Sequence, residues 1–413
     1  MWELKNVFSF ADMLKKRLYL SMQRVERHIV IGNKNLDKIC FLSKNLYNYA
    51  NYLIRHEFTQ NNKLLSEYEV TTKLAKEKQV DYIALPAQTG QQVIKMLFKN
   101  WKSFFKLCKK KDKLKGRPKM PKYKHKEKGR NISVFTSQQC KLKDGYIHFP
   151  KKANVEPLRT KVSNVCQVRI IPQCSCHVIE VVYKKECIKT SGLEPDSYLS
   201  IDLGLNNLVT SYDSLNHKSF IVNGKTLKSV NQYFNKKRAY LMSFIGSRGI
   251  SNRIGKLTLK RNCKVNDYLH KTSRFIVDYC IDNHIETIVI GNNKDWKQNC
   301  NMGKRNNQNF VSIPFEKLIS QIQYKAEEVG VKVVITEEGY TSKIDHYAGE
   351  EMCHHDTYIG KRIKRGLFRS STGKVLNADL NGAIGILRKV VGENFQQVVN
   401  RGEVVTPSRI YIM

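Results

Sequence analysis

The chain has 413 residues, of which 41% are hydrophobic and 26% are charged. These proportions exclude wholesale disorder, and the length allows two or three folded domains. The exceptional property is charge, because 72 Lys and Arg residues against 36 Asp and Glu residues leave a formal net charge of +36. An excess of one sign opposes compaction, so we expect a polyanionic partner. Nucleic acid is the first candidate, and a merely basic, solvated surface is the alternative.

The eleven cysteines form no Cys-x-x-Cys pair, which predicts free thiols in a reducing compartment. Charged side chains interrupt the N-terminal stretch, so it lacks the apolar region of a secretory signal. No other apolar run approaches the length of a membrane span. We therefore expect a cytoplasmic protein without a membrane partner.

The first half of the sequence changes between strand and helix patterns. Residues 24–33 alternate as a strand does, whereas apolar residues at spacings of three and four predict two amphipathic helices between 36 and 107. Strand patterns return from 132 to 183, with Asp144-Gly145 as a hairpin turn. We predict a wedge-like β-barrel formed by residues 1–35 and 106–190, with a helical insertion at 36–105.

A basic segment follows the predicted insertion, with thirteen Lys and Arg residues and two acidic residues between 106 and 130. One interpretation is a disordered basic linker. The other is a segment that orders on RNA or DNA by following phosphates, with an aromatic ring to stack on a base. Its candidate nucleic-acid-binding residues are Lys109, Lys110, Lys111, Arg117, Lys119, Lys122 and Tyr123.

The pattern becomes α/β in the second half. An apolar strand ends at Asp202 and continues into a second strand, long basic helices follow, and further strands end at Gly291 and Thr336. This order, an antiparallel hairpin before parallel strands and interleaved helices, is typical of an RNase H-like fold. The predicted fold class is therefore α+β and multidomain, with the barrel followed by an RNase H-like domain at 197–413.

Carboxylates stand far apart in this half, at strand ends or at a helix start. Asp202 ends one apolar strand, Glu337 and Glu338 follow another, and Asp379 lies on a predicted short helix. Each has an ordinary structural alternative as a turn or cap residue. Together they are the hard oxygen ligands that Mg²⁺ prefers, and paired cations stabilise both oxygens of a phosphodiester displacement. The pattern predicts a metal-dependent nuclease site.

Five short motifs occur along the chain, and they are Leu85-Pro86-Ala87-Gln88, Gly116-Arg117-Pro118-Lys119, Ile201-Asp202-Leu203-Gly204-Leu205, Gly360-Lys361-Arg362-Ile363-Lys364-Arg365-Gly366-Leu367 and Asn377-Ala378-Asp379-Leu380-Asn381-Gly382-Ala383. In these motifs and their order the sequence resembles TnpB, the insertion-sequence OrfB family related to the type V CRISPR effectors. The resemblance implies an RNA-guided DNA endonuclease of the RuvC type. It implies Mg²⁺ or Mn²⁺ as cofactor and guide RNA and double-stranded target DNA as partners, and it leaves any protein partner unknown.

The resemblance breaks at one position of the implied site. The family uses aspartate, glutamate and aspartate; Asp202 and Asp379 match the outer two, whereas Gly291 stands at the glutamate. The strand before Glu337 and Glu338 should lie parallel beside it, about 4.8 Å away, so a glutamate there can reach the same place. Side chains alternate faces, so only one points inward, and we favour Glu338 because it lies farther beyond the strand. A TnpB branch with the same Glu-Glu-x-Tyr-Thr-Ser signature supports this relocation over decay.

The interval 343–374 departs from the family as well. Most members carry two Cys-x-x-Cys pairs there, whereas this chain has Cys353 with three nearby histidines, a spacing that fits no standard zinc site. We therefore expect a basic insertion without zinc. Its cations could hold the scissile strand or form only a solvated loop, and Arg261 could face the guide duplex. The further nucleic-acid-binding candidates are thus Arg261, Lys361, Arg362, Lys364, Arg365 and Arg369.

Two other functions stay open at this point. A nuclease-inactive, RNA-guided DNA-binding protein, such as a repressor, would explain Gly291 but has no need of both Asp202 and Asp379. A DNA-strand transposase would need a His-x-His motif with a tyrosine, and we find no such arrangement.

Overall fold

The computed structural model describes residues 21–113, 116–187, 190–246, 249, 251–293, 303–364, 366–392 and 406–412. Its internal contacts divide the chain into two units, one of residues 20–185 and one that contains residues 186–413. Among the described residues, no helix has the length and apolarity needed to cross a membrane.

The helices of the first unit are α1 (Lys34–Gln60), α2 (Glu67–Lys76), α3 (Val80–Ala84) and α4 (Ala87–Cys108). Helix α1 begins after Asn33, whose side chain accepts hydrogen bonds from the first free N–H groups. The long helices α1 and α4 follow the predicted amphipathic pattern and bury their apolar faces in one core. The sequence prediction missed the two short helices between them.

The strands of the first unit form two sheets. Strands β1 (Ser21–Val30), β2 (Ser133–Thr136), β6 (Val165–Pro172) and β7 (His177–Glu186) form a sheet in the order β1-β7-β6-β2, and β3 (Lys141–Lys143), β4 (Tyr146–His148) and β5 (Leu158–Arg159) form the other. The predicted Asp-Gly hairpin between β3 and β4 is confirmed, because Asp144 and Gly145 have φ angles of 51° and 76°.

Residues 121–126 of the basic segment lie along α1. The side chain of Asn48 accepts a hydrogen bond from Lys124 N (2.9 Å) and donates one to Lys124 O (2.8 Å). Asn51 Nδ2 donates to Pro121 O (2.9 Å). The expectation of a disordered linker was therefore wrong for these residues, because amide side chains of α1 already hold their backbone, while phosphate binding by the segment stays a prediction.

The sheet of the second unit has the order β12-β11-β8-β9-β10-β16. Strands β8 (Glu194–Leu203), β9 (Asn207–Asp213) and β10 (Ser219–Asn223) are antiparallel neighbours, while β11 (Ile285–Gly291) and β12 (Lys332–Thr336) continue parallel to β8, and β16 (Ser408–Ile410) lies parallel to β10. The predicted antiparallel hairpin and the parallel strands that follow it are confirmed.

Helices cover both faces of this sheet. They are α5 (Lys225–Ser243), α6 (Asn252–Asp282), α7 (Lys304–Val311), α8 (Phe315–Val329) and α9 (Ala378–Val391). Helices α6 and α8 share the larger apolar core with β8 and β11, whereas α9 packs on the other side against β8 and β9. A small sheet of β13 (Lys361–Lys364), β14 (Leu367–Arg369) and β15 (Val375–Asn377) precedes α9. Helix α9 therefore packs directly on β8, the strand that contains Asp202.

Candidate functional site

Three elements of the second unit meet at one end of its six-stranded sheet, and they carry Asp202, Glu338 and Asp379. Asp202 lies near the end of β8, Asp379 lies in the first turn of α9, and Glu338 follows β12 by two residues. Burial raises the pKa of the Asp202 carboxyl well above its usual range, and the charges of Glu338 and Asp379 raise it further. Asp202 therefore lies within electrostatic reach of the other two carboxylates, although they are far apart in sequence.

Asparagine side chains fix the position of Asp379. Asn377 caps α9 by accepting a hydrogen bond from Asp379 N (2.9 Å). Asn207 Nδ2, at the start of β9, donates to Asp379 Oδ2 (2.7 Å). Helix α9 approaches β8 closely at Gly382, where an added Cβ would lie 3.1 Å from Asp202 Oδ2. The small residue brings the helix near enough for its aspartate to face that of β8.

Glu338 fills the space that a side chain at residue 291 would need. Gly291 ends β11 and pairs in register with Thr336 of β12, so the two strands lie side by side as predicted. A Cβ placed on residue 291 would lie 2.7 Å from Glu338 Cγ and 2.8 Å from Glu338 Oε1, and it would overlap Ile386 Cδ1. These separations are well inside van der Waals contact. Glycine is therefore the residue that lets the Glu338 side chain cross over the end of β11.

Asn293 holds Glu338 from two directions. Its Oδ1 accepts a hydrogen bond from Glu338 N (2.8 Å), and its Nδ2 donates to Glu338 Oε2 (3.4 Å). The other carboxylate oxygen, Oε1, is buried without a hydrogen-bond partner among the described residues. Burial raises the pKa of Glu338 to about 7, and the charge of Lys389 opposes that shift. A buried carboxylate oxygen without a donor is costly, and a hard divalent cation fits it in charge and in ligand type.

Glu337, the fourth carboxylate of the predicted site, differs from Glu338 in its exposure to solvent. Glu337 is exposed to solvent, whereas Glu338 is partly buried. No group of three or more His, Cys, Asp or Glu side chains in the described part of the chain is close enough to hold a metal ion. Asp202, Glu338 and Asp379 thus share one region and suit Mg²⁺ in chemistry, but they do not converge on one point.

One predicted phosphate-binding residue lies beside the carboxylates. Arg362, on β13, lines a cleft of about 590 Å³ together with Asp379, and its charge opposes the rise in the pKa of Asp202. The cleft is also lined by Asn206, Asn207, Lys225 and Arg409. Three other predicted phosphate-binding residues have exposed side chains, and they are Lys361 and Lys364 on β13 and Arg369 on β14. Arg365 lies outside the described residues.

The other predicted nucleic-acid-binding residues are divided between exposed and structural positions. Arg261 donates to Asn231 Oδ1 (2.8 Å) and to Ser312 O (2.7 Å), so its guanidinium joins α6 to α5 and to the end of α7. The candidates of the first unit have exposed side chains, and they are Lys109, Lys110, Lys111, Arg117, Lys119, Lys122 and Tyr123.

Hydrogen bonds and packing hold the insertion at 343–374. The buried Asp345 accepts hydrogen bonds at Oδ2 from Ser370 Oγ (2.9 Å) and from Ser371 N (2.7 Å). His346 is buried against Gly385, where its Nε2 contacts Thr341 O (2.8 Å), and burial lowers its pKa to about 4. These groups form a polar core for the insertion.

Sequence reasoning missed the residues that support the carboxylates. Asn207, Asn293, Lys225 and Arg409 each contact or line the site, yet they belong to none of the quoted motifs. For Asn207 and Asn293, the only signal was that they follow Asp202 and Gly291 closely in the sequence. Arg409 lies on β16, and nothing in the sequence indicated that this strand joins the sheet.

Two family models match the chain, and most of the residues they match lie in the second unit. The OrfB_IS605 family, described as a probable transposase, matches residues 169–297, and the Cas12f1-like TNB domain matches residues 315–386. The first range contains Asp202 and Gly291, and the second contains Glu338 and Asp379.

Two relatives agree with these matches. The TnpB-like protein ORF457 of Acidianus two-tailed virus is 27% identical over 260 residues, which cover 60% of this chain and 50% of the viral protein. Cas12f1 of Sulfoacidibacillus thermotolerans, a CRISPR-associated endodeoxyribonuclease, is 26% identical over 226 residues, which cover 50% of each chain. The chain thus spans about half the length of the curated relatives that it matches.

A solved Cas12f1–sgRNA–target DNA complex contains a chain of similar fold. It aligns with a TM-score of 0.52 and 16% identity over 85% of this chain and 81% of the other. The fold is therefore an α+β fold similar to that of the Cas12f nucleases. The family matches and the relatives show that this chain is similar to TnpB-type proteins, and the resemblance seen in the motifs is confirmed.

Proposed function

We propose that the chain is an RNA-guided DNA endonuclease encoded by a transposable element. The second unit, with its strand order and helices on both faces, would be the RuvC-type, RNase H-like nuclease domain. The first unit, with its two sheets and helices, would be the barrel-like domain with its recognition insertion. The observation that carries the proposal is Glu338 over Gly291, because it places a carboxylate at the end of β11 although residue 291 has none.

The carboxylates Asp202, Glu338 and Asp379 would hold Mg²⁺ or Mn²⁺, with Glu337 outside the site. When bound, such ions activate a water and stabilise the leaving oxygen of a phosphodiester. The chain's own contribution is orientation: Asn293 fixes the Glu338 carboxylate, and Asn207 fixes that of Asp379. Arg362 would bind a phosphate of the scissile strand, since a guanidinium pairs with phosphate through two hydrogen bonds.

Guide RNA and double-stranded target DNA would be the partners. The net charge of +36 suits backbone binding of this kind, and base pairing by the guide would then read the sequence. In the solved complex of similar fold, Cas12f1 is bound to sgRNA and target DNA, which supports the same pair of ligands here. The exposed cations of the first unit would contribute phosphate contacts, and we expect no zinc.

The test is guided cleavage of a plasmid target library in Mg²⁺. We expect the wild type to cut. Asp202→Ala and Glu338→Ala should each lower the cleavage rate about a hundredfold or more, because each would remove a ligand of the metal that stabilises the charge of the transition state. Glu337→Ala is the matched control, one residue away and solvent-exposed, and it should cut normally. Target binding without a cut by the wild type would instead identify a nuclease-inactive guided binder.

A further inference from the structure

The segment that covers α5 and the first half of α6 has an unusual charge. Residues 225–266 contain eleven Lys and Arg residues and no Asp or Glu. Acidic residues one turn away can balance basic residues on a helix, and here Asp267, just beyond the segment and one turn after Lys264, is the only acidic residue so placed in the sequence. A polyanion is therefore the partner that the charge of this helix pair fits.

An aromatic stripe runs along the outer side of α5. Tyr233, Lys237, Tyr240 and Phe244 follow one another at spacings of four, three and four residues, so they fall within about 60° of one another around the helix. Such spacing usually marks a buried face. Here Tyr233, Tyr240 and Phe244 are 65%, 56% and 70% exposed.

The rings of the stripe are arranged for contact with flat groups. Lys237 Nζ lies 4.9 Å from the centre of the Tyr240 ring, and the Tyr240 and Phe244 rings meet edge to face at 5.0 Å. Tyr233 leads into a groove of about 420 Å³ between α5 and α6, which Lys260 and Lys264 line. Cations beside exposed rings are the combination that binds unpaired nucleotides, through phosphate and base together.

The helix that carries the stripe begins at the candidate site. Lys225 is the first residue of α5 and lines the same cleft as Asp379. At 1.5 Å per residue, Tyr233 and Tyr240 lie about 12 and 22 Å along the helix from Lys225. A strand that leaves the cleft along α5 therefore meets the rings one after another.

We propose that this stripe binds the unpaired DNA strand that enters the site to be cut, an inference that rests on the proposed function. Stacking needs free base faces, which a duplex does not offer. A second copy of the chain is the poorer occupant, because two such surfaces would bring like charges together. Continuity with the cleft favours the strand being cut over the guide RNA.

The experiment measures binding of labelled unpaired DNA in EDTA, with the chain carrying its co-purified RNA and Asp202→Ala in every variant. We expect the triple variant Tyr233→Ala/Tyr240→Ala/Phe244→Ala to bind an oligonucleotide of about 16 nucleotides at least tenfold more weakly, because stacked bases contribute most of the affinity. Tyr233→Phe/Tyr240→Phe keeps the rings and the fold, and it should bind as Asp202→Ala alone does. Equal affinity of all three proteins would overturn the proposal.

Photocrosslinking identifies the strand on the stripe. With 4-thiothymidine in the unpaired DNA, and in a parallel sample 4-thiouridine in the RNA, we expect crosslinks from the DNA to peptides of α5. Crosslinks from the RNA alone, or a change in sedimentation of the triple variant without a change in DNA binding, would assign the stripe to the guide or to self-association and overturn the proposal. Because this assay needs no cleavage, a chain that binds unpaired DNA through α5 but never cuts would refute the proposed nuclease and not the stripe.

Discussion

At the scale of single residues, positions 291 and 338 compete for the same volume. The Glu338 side chain lies where a Cβ on residue 291 would be, and Asn293 holds the carboxylate there. A side chain at 291 must therefore displace the glutamate, and a glutamate can be supplied from one of the two strands at a time.

An exchange of the two residues tests this competition. Gly291→Glu alone should abolish most cleavage, because its Cβ would lie within 3 Å of Glu338 Cγ and Oε1 and of Ile386 Cδ1, so the Glu338 carboxylate must move. Gly291→Glu/Glu338→Gly should recover at least about tenfold over either single variant, since the carboxylate returns to the end of β11. Guided plasmid cleavage, with thermal unfolding to verify folding, is the measurement. A double variant no better than the single ones would show that the two positions are independent.

The raised pKa of Glu338 predicts a pH-dependent stability of the metal-free chain. In the folded chain this pKa is about 7, against an ordinary value of 4.5, so between these values the folded state binds the extra proton. Stability therefore falls as pH rises from 4.5 to 7, and the loss is complete above pH 7. Glu338→Gln should remove this loss, which amounts to at most about 3 kcal/mol.

Denaturant unfolding in EDTA at several pH values measures the effect. The difference between Glu338→Gln and the wild type should be near zero at pH 4.5 and largest above pH 7. Glu337→Gln, at an exposed position, should follow the wild type throughout. If the stability difference between Glu338→Gln and the wild type were the same at all pH values, burial of the Glu338 charge would not be its cause.

Part of the site could be predicted from the sequence for a simple reason. Register in a parallel pair of strands is regular, so a glutamate after β12 had to emerge near the end of β11. Alternation of side chains then limited the choice between Glu337 and Glu338. The supporting amides of Asn207 and Asn293 could not be predicted, because a single asparagine after a strand is typical of any turn.

At the scale of elements, α1 organises the first unit through polar as well as apolar side chains. The buried Asn51 accepts a hydrogen bond from Trp101 Nε1 (3.1 Å) in α4 and donates one to the backbone of Pro121. One side chain thus connects two helices and the basic segment. The periodicity of the apolar residues predicted α1 and α4, whereas contacts made by asparagines leave no periodic trace. Sequence patterns alone therefore do not reveal that α1 holds the segment.

Asn51→Ala should lower the free energy of unfolding of the first unit by about 2–3 kcal/mol, because it leaves a buried indole N–H and a carbonyl without partners. Trypsin should then cut faster between 116 and 131, which is rich in Lys and Arg. The control is Asn100→Ala, an exposed residue whose amide donates to Tyr47 OH at 3.2 Å. Limited proteolysis and chemical denaturation test both variants, and equal trypsin rates would contradict the role of Asn51.

At the scale of the whole molecule, a net charge of +36 makes the stability depend on what neutralises it. We expect removal of the co-purified RNA to lower Tm by about 5 °C or more, since a ligand that binds only the folded chain stabilises it. Salt separates the two states. At about 1 M, where the Debye length is about 3 Å, Tm should rise for the stripped chain and fall for the RNA-bound chain. A Tm that responds to salt in the same direction with and without RNA would contradict this view.

The glycine at the end of β11 also bears on how such chains change over generations. Because residues 291 and 338 exclude each other, a chain passes from one carboxylate arrangement to the other only through forms with both glutamates or with neither. On the proposed function both forms cut poorly, so the passage would be a barrier between the two arrangements. A survey that inspects one aligned column would class this chain as degenerate. The quantity to compare between lineages is the place of the oxygen atoms, not the number of the residue that carries them.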